Sequence, residues 1–275
     1  MSCNMLAHRM ILVLALLGFA PARAWATWSI VAVDRDTARI VVASATCVPL
    51  EEPRSLKSVQ AVVVPGVGAA ACQALIDGSG RNQSLVFEEL RKGSEPSEIL
   101  RLLRVDPNLE QRQFGIVDMR GRTAGFSGAK NGRSALDRQG RAPGTEIFYS
   151  IQGNILRSDA VVTSAVQAFV ATQGALTDRV MAAMEAADRA GGDSRCTCAT
   201  PPNAAAPCDG KTSHVAYILM AEKDDPLGRS FNDGTYALYL SVTQSNIQPS
   251  ENANPVKTLR MRYDAWRKTQ PDSFR

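Results

Sequence analysis

From Thr27 the chain reads TWSIVAVD, a short polar stretch, then RIVVASATC. Two β-branched apolar runs across a tight polar turn predict a hairpin. Period-two alternation puts Thr27, Ser29, Val31 and Val33 on one face and Trp28, Ile30 and Ala32 on the other. Residues 50–58 (LEEPRSLKS) are polar and read as a loop. Residues 59–64 read as a third strand, ending at Pro65-Gly66-Val67-Gly68. Alanine-rich residues 69–77 have a helical composition, so this segment reads strand, glycine turn, helix. Helices are predicted over 84–92, closed by Gly93, and over 97–104, opened by a Ser97 cap. Residues 113–118 and 123–126 look like hairpin strands around Arg120-Gly121, and 148–153 is a further strand. Helices follow from 158 to about 173 and over 176–190, the second stopped by Gly191-Gly192. Residues 215–221 and 236–242 alternate as strands, and a charged helix covers 255–268. No regular strand–helix–strand alternation runs through this order. It argues for a layered α+β fold in place of a parallel Rossmann sheet. Neither an internal repeat nor an interdomain linker is visible.

The N-terminus changes how the length is read. Residues 10–20 (MILVLALLGFA) form an apolar run of 11 residues between Arg9 and Pro21, followed by small-x-small sites. That is the order of a secretory signal peptide, and the run is well short of the ~20 apolar residues of a membrane span. Cleavage after Ala22-Arg23-Ala24 would leave Trp25 first, and cleavage after Ala24-Trp25-Ala26 would leave Thr27 first. The second is favoured for a chemical reason given below. The expected organisation is a signal peptide over 1–26 and one domain over 27–275, periplasmic or secreted, with no membrane association once the leader is gone.

Composition adds mainly exclusions. With 45% hydrophobic and 21% charged residues the chain is neither disordered nor fibrous. Once the leader leaves, 29 basic residues face 27 acidic ones, so charge gives no reason to expect nucleic acid. Export implies an oxidising compartment. Cys47, Cys72, Cys196, Cys198 and Cys208 then remain, an odd number, which leaves one thiol over. The stretch CTCATPPNAAAPCDG reads as a Cys-rich loop insertion over about 194–212. It is closed by a disulfide from Cys208 to either Cys196 or Cys198. A three-cysteine metal site there lacks a clear fourth ligand, and no metal or other cofactor is expected.

No dinucleotide or P-loop fingerprint, zinc-protease motif or nucleophile elbow is present. His8 and His214 are the only histidines, and His8 lies in the leader. His214, at the start of a strand, reads first as a structural residue, which leaves little room for histidine base catalysis. An α-amino group, with pKa about 7.7–8, can serve as base for an N-terminal hydroxyl. Cleavage after Ala26 would put Thr27 in that position. The plain alternative is an ordinary threonine at the start of a strand.

Several stretches occur in an order that resembles the domain of unknown function 1028 family, which is usually assigned to the N-terminal nucleophile hydrolases. They are residues 27–34 (TWSIVAVD), 66–73 (GVGAAACQ), 113–118 (QFGIVD), 150–156 (SIQGNIL), Gly191-Gly192-Asp193 and Asn254-Pro255-Val256 with Leu259. The resemblance implies a four-layer αββα sandwich of mostly antiparallel sheets with Thr27 at the end of a central strand. It also implies hydrolysis of an amide bond in a small-molecule or peptide-like substrate through an acyl-enzyme on Thr27. In that scheme the Gly68 N–H, at a helix N-terminus, and the Asn154 side chain stabilise the oxyanion. Ser29 and Ser44 orient the amine. Asp34 and Asp193 read as structural. The one lysine near this region, Lys57, sits in a loop-like segment and is given no catalytic role. The alternative is a non-catalytic periplasmic binding or interaction protein on the same fold. A third reading is a disulfide-stapled structural domain that docks through its basic C-terminal helix. Homo-oligomerisation is left open.

Overall fold

The computed structural model describes residues 27–270. The predicted signal peptide, residues 1–26, lies outside them. Strands β1 (Thr27–Asp34) and β2 (Arg39–Thr46) form the expected hairpin. Its turn is closed by the Asp34 carboxylate, which accepts from the Asp36 N–H at 3.0 Å and the Thr37 hydroxyl at 2.8 Å. β1 lies inside an antiparallel six-stranded sheet. On one side come β2, β9 (Val215–Ala221) and β10 (Leu238–Thr243). On the other come β8 (Ile147–Asn154) and β7 (Leu136–Arg141). A second antiparallel sheet runs β3 (Ala61–Val64), β4 (Gly68–Ala74), β5 (Arg112–Asp118), β6 (Thr123–Ser127).

β4 corrects the helix predicted over residues 69–77. Alanine favours helix, but propensity is a weak prior that tertiary pairing overrides. Gly68–Ala74 is buried along its whole length between β3 and β5. Ala69 and Ala71 enter the core beneath the large sheet, while Ala70 and Cys72 enter the opposite core. Small side chains suit a strand squeezed from both faces. The segment read as a loop carries a short helix, α1 (Leu56–Gln60), capped by the Ser55 hydroxyl accepting from the Ser58 N–H. The third strand accordingly starts at Ala61. β7 (LDRQGR) was not predicted because this half-exposed strand has no apolar alternation.

Three hydrophobic clusters organise the molecule. The first joins one face of the six-stranded sheet, including Trp28, Ile30 and Ile218, to three helices. These are α4 (Ala160–Ala171), α5 (Leu176–Arg189) and α6 (Pro255–Lys268). The second lies between the sheets, with Val31, Val33 and Val42 against Ala69, Ala71 and Val117. The third joins the far face of the four-stranded sheet, through Phe114 and Ile116, to α2 (Arg81–Lys92) and α3 (Pro96–Leu102). α3 starts at Pro96 after Glu95 without a side-chain cap, so Ser97 lies inside it.

The Cys-rich insertion is closed by Cys198–Cys208, and a second disulfide ties Cys47 to Cys196. The buried Lys211 ammonium holds the loop from within, donating to the Thr200 and Pro202 carbonyls and to Asn203 Oδ1 at 2.7–3.1 Å. Cys72 is the leftover thiol, and burial pushes its pKa up to about 12. Among the described residues no helix is long and apolar enough to cross a membrane.

Candidate functional site

Register fixes the neighbours of Thr27: Thr46 on β2 and Asn154 on β8. Alternation sends Trp28, Ile30 and Ala32 toward the helices, so Thr27 and Ser29 share the inter-sheet face with Val31 and Val33. Thr27 is 3% exposed, and its Oγ1 donates to Thr46 Oγ1 at 3.3 Å.

Behind Thr27 the space between the sheets turns polar. Gln73 of β4 sits at its centre. Its Nε2 donates to the Thr27 carbonyl at 3.1 Å and to Gln113 Oε1 at 2.7 Å. Its Oε1 accepts from Ser29 Oγ at 2.6 Å and from Gln60 Nε2 at 2.7 Å. Both amide hydrogens and both acceptor sites of the side chain are therefore used. Gln113 passes the connection on, its Nε2 donating to the Gly153 carbonyl at 2.9 Å and to Ser127 Oγ at 2.6 Å. Gln152 reaches across from β8 to the Ala71 carbonyl, donating at 3.1 Å. Thus Gln73 grips β1 at Thr27, and Gln113 grips the neighbouring strand one residue before Asn154.

The proposed site residues fall into two groups. Ser29 braces Thr27 indirectly, through Gln73. The Ser44 hydroxyl donates to the Trp28 carbonyl at 2.7 Å, one residue from Thr27. Asn154 is fully buried directly across from Thr27. Gly68 does not belong with them. It is a strand residue paired with Val64 and Asp118, so no helix N-terminus points from it. Since Gln73 marks the Thr27 end of β4, Gly68 lies five residues away, about 16 Å at strand rise. The expectation failed with the mistaken helix.

Lys57 is held elsewhere, its ammonium donating to the Asn232 carbonyl at 3.1 Å and lying over the Tyr239 ring at 4.7 Å. Asp34 serves the hairpin turn. The Asp193 carboxylate accepts from the Cys47 N–H at 3.0 Å and from Arg195 Nη2 at 2.8 Å, tying the insertion to the end of β2. The backbone N–H of His214 donates to the Thr46 carbonyl at 2.7 Å. Its neighbour Val215 belongs to the inter-sheet core and Ala216 to the helix-side core, so alternation points the His214 ring away from Thr27. Burial, with Lys211 and Arg195 adding to it, lowers its pKa to about 4, so the ring is neutral at physiological pH.

The glutamines are the residues that motif reasoning missed. Their signal was a glutamine beside apolar neighbours in each of three buried strands: ACQA, RQFG and SIQG. Just past Asn154 a cleft of about 530 Å³ opens between Arg133, Ile155, Arg157, Ser158 and Ser194.

The fold has a counterpart among solved structures. The crystal structure of protein SPO2555 from Silicibacter pomeroyi, a DUF1028 protein, superposes with a TM-score of 0.63 at 23% identity. The match covers 90% of this chain and 91% of that one. No curated protein matches the sequence. The model of the family of unknown function DUF1028 matches residues 27–206, starting at Thr27. With that match spanning well over half of its length, the chain belongs to the DUF1028 family.

Proposed function

We propose that the protein is an exported N-terminal nucleophile hydrolase that cleaves an amide bond in a small or peptide-like substrate. The fold read this way is a four-layer αββα sandwich: helices, six-stranded sheet, four-stranded sheet, helices. The observation that carries the reading is the place of Thr27. It starts the central strand at the residue where the family match begins, directly after the predicted signal-peptide site.

In this mechanism Thr27 Oγ attacks the substrate carbonyl while its proton passes to the Thr27 α-amine. The C–N bond then breaks, and the leaving amine takes that proton. Water hydrolyses the resulting ester by the same relay and restores the threonine. Asn154, across the strand pair, supplies a side-chain donor to the oxyanion. Ser29 and Ser44 act as positioning residues, through the Gln73 link to the Thr27 carbonyl and through the Trp28 carbonyl. A substrate seated in the cleft past Asn154 lies at the Thr27 end of the sheet.

The test begins with the intact mass and N-terminal sequence of the exported protein, which should start at Thr27. A start at Trp25 would leave the Thr27 nitrogen in a peptide bond and end the mechanism. An epoxyketone, which closes a ring on both the hydroxyl and the amine of an N-terminal threonine, should label the wild type and not Thr27→Ala. Equal labelling of the two refutes the acyl-enzyme. A second reading, a non-catalytic binding protein on this fold, draws on the burial of Thr27. It predicts a Thr27 start without labelling.

A further inference from the structure

Cys47, Cys196 and His214 meet at the same end of the six-stranded sheet, on the side opposite the glutamine cluster. Each is buried, and the two sulfurs and one ring nitrogen all lie within 4.8 Å of one another. Cys47 follows directly on β2, His214 directly precedes β9, and Cys196 is the first cysteine of the insertion. The β2–β9 register pairs Thr46 with Val215 and so fixes the two strand-end residues side by side.

The histidine has a feature that the disulfide does not account for. It is 2% exposed, and its Nδ1 makes no hydrogen bond. A buried, unpartnered ring nitrogen beside two sulfurs is what an imidazole offers a metal. A buried polar atom left without a partner is costly, so the arrangement calls for an explanation.

We propose that Cys47, Cys196 and His214 form a redox-gated binding site for zinc or a similarly soft divalent cation. In the oxidised protein the two sulfurs are joined as the Cys47–Cys196 disulfide and the site is closed. A dithiol reductant opens it: the two protein sulfurs gain two electrons and two protons, and the reductant leaves as its own cyclic disulfide. On binding a divalent ion the two thiols release two protons. Two thiolates and one neutral imidazole then neutralise the metal charge and leave the fourth tetrahedral position to water. Every ligand lies on this chain, and none of them is a residue of the proposed hydrolase mechanism.

The experiment uses the full mature chain carrying Cys198→Ser and Cys208→Ser, which removes the other disulfide as a source of thiols. After reduction and removal of the reductant under anaerobic conditions, the protein is titrated with Co(II) and then Zn(II). The expected result is one equivalent bound, with the thiolate-to-cobalt charge-transfer band and the visible spectrum of a tetrahedral site, both bleached by Zn(II). The unreduced protein should bind none. His214→Gln leaves both cysteines in place and should weaken binding by more than the roughly 10–100-fold that an outer-sphere change costs. Cys47→Ser should abolish the charge-transfer stoichiometry of two thiolates. No cobalt spectrum in the reduced protein, or binding by His214→Gln as tight as in its parent, overturns the proposal. Circular dichroism of His214→Gln separates a lost ligand from a lost fold.

Discussion

Gln73 carries more of the Thr27 site than any residue that motif reasoning singled out. One side chain uses both its donors and both its acceptor sites, and it joins the two sheets at the first residue of β1. Gln73→Leu keeps the volume but strands the Ser29 hydroxyl, the Gln60 amide and the Gln113 carbonyl in the interior. At about 1–3 kcal/mol for each buried group left unsatisfied, the expected loss of stability is at least about 3 kcal/mol, measured by urea unfolding. In the double variant Gln73→Leu/Gln113→Leu the loss should fall short of the sum of the singles, because the two share a hydrogen bond. Additive losses would mean that the network is not a unit. Thr27 and Asn154 were visible in the sequence as motif residues. Gln73, Gln113 and Gln152 lay in the same family-like stretches but without a role, since nothing local says that Gln73 joins Gln60 and Gln113.

The contact between elements depends on what is missing from β5. A Cβ on Gly115 would collide with Gln152 Oε1 and come within 2.5 Å of Ser150 Oγ, both from the facing sheet. Gly115→Ala should therefore destabilise by about 1–3 kcal/mol through overpacking. Gly115→Ala/Gln152→Ala should recover part of that loss, and a double variant no better than the sum of the singles refutes the clash. At the other core, α6 shows why some elements could be read in advance. Asn254 caps the helix by accepting from the Val256 N–H at 3.0 Å, Pro255 occupies the first turn, and the observed bounds match the predicted 255–268.

α6 docks on α5 through Asp178, which accepts from the Tyr263 hydroxyl at 2.6 Å and from Arg267 Nη2 at 3.1 Å. Burial would raise the Asp178 pKa, but Arg267 and Tyr263 more than reverse this and hold it below the usual carboxylate value. A depressed folded pKa contributes stability above the unfolded value, near 3.8, that is lost as pH falls through the folded one. Asp178→Asn should thus be less stable than wild type at neutral pH, by about 1–3 kcal/mol. Thermal melts should show that gap closing below pH 4. A gap that persists in acid would mean that packing, not charge, holds the helix.

At the scale of the molecule the disulfides divide the labour by span. Cys47–Cys196 closes a separation of 149 residues and Cys198–Cys208 one of 10. Chain-entropy estimates give about 5 kcal/mol for the first and about 3 kcal/mol for the second. Serine pairs replacing each bridge should order the same way in denaturant midpoint, with the long bridge costing more. The reverse order would show that the short bridge protects more than its own loop. Sequence reading left the partner of Cys208 open between Cys196 and Cys198. The choice falls to Cys198 because Cys196 is taken by Cys47, far away in the chain.

What the sequence determined by itself was local and periodic. The hairpin with its two faces, five of the six helices within a few residues, the strands of the β5–β6 and β9–β10 pairs, and the α+β class all follow from alternation, caps and turns. Tertiary structure decided whatever depends on partners distant in the chain. It made a strand of the alanine-rich β4 because β3 and β5 hydrogen-bond to it from both sides. It took Gly68 away from Thr27 and brought Gln73 to it, because register, not motif, sets which end of a strand faces a site. It set Cys47 beside His214 through an antiparallel pairing of β2 with β9, and brought Cys196 to them from the insertion, which no short-range signal encodes.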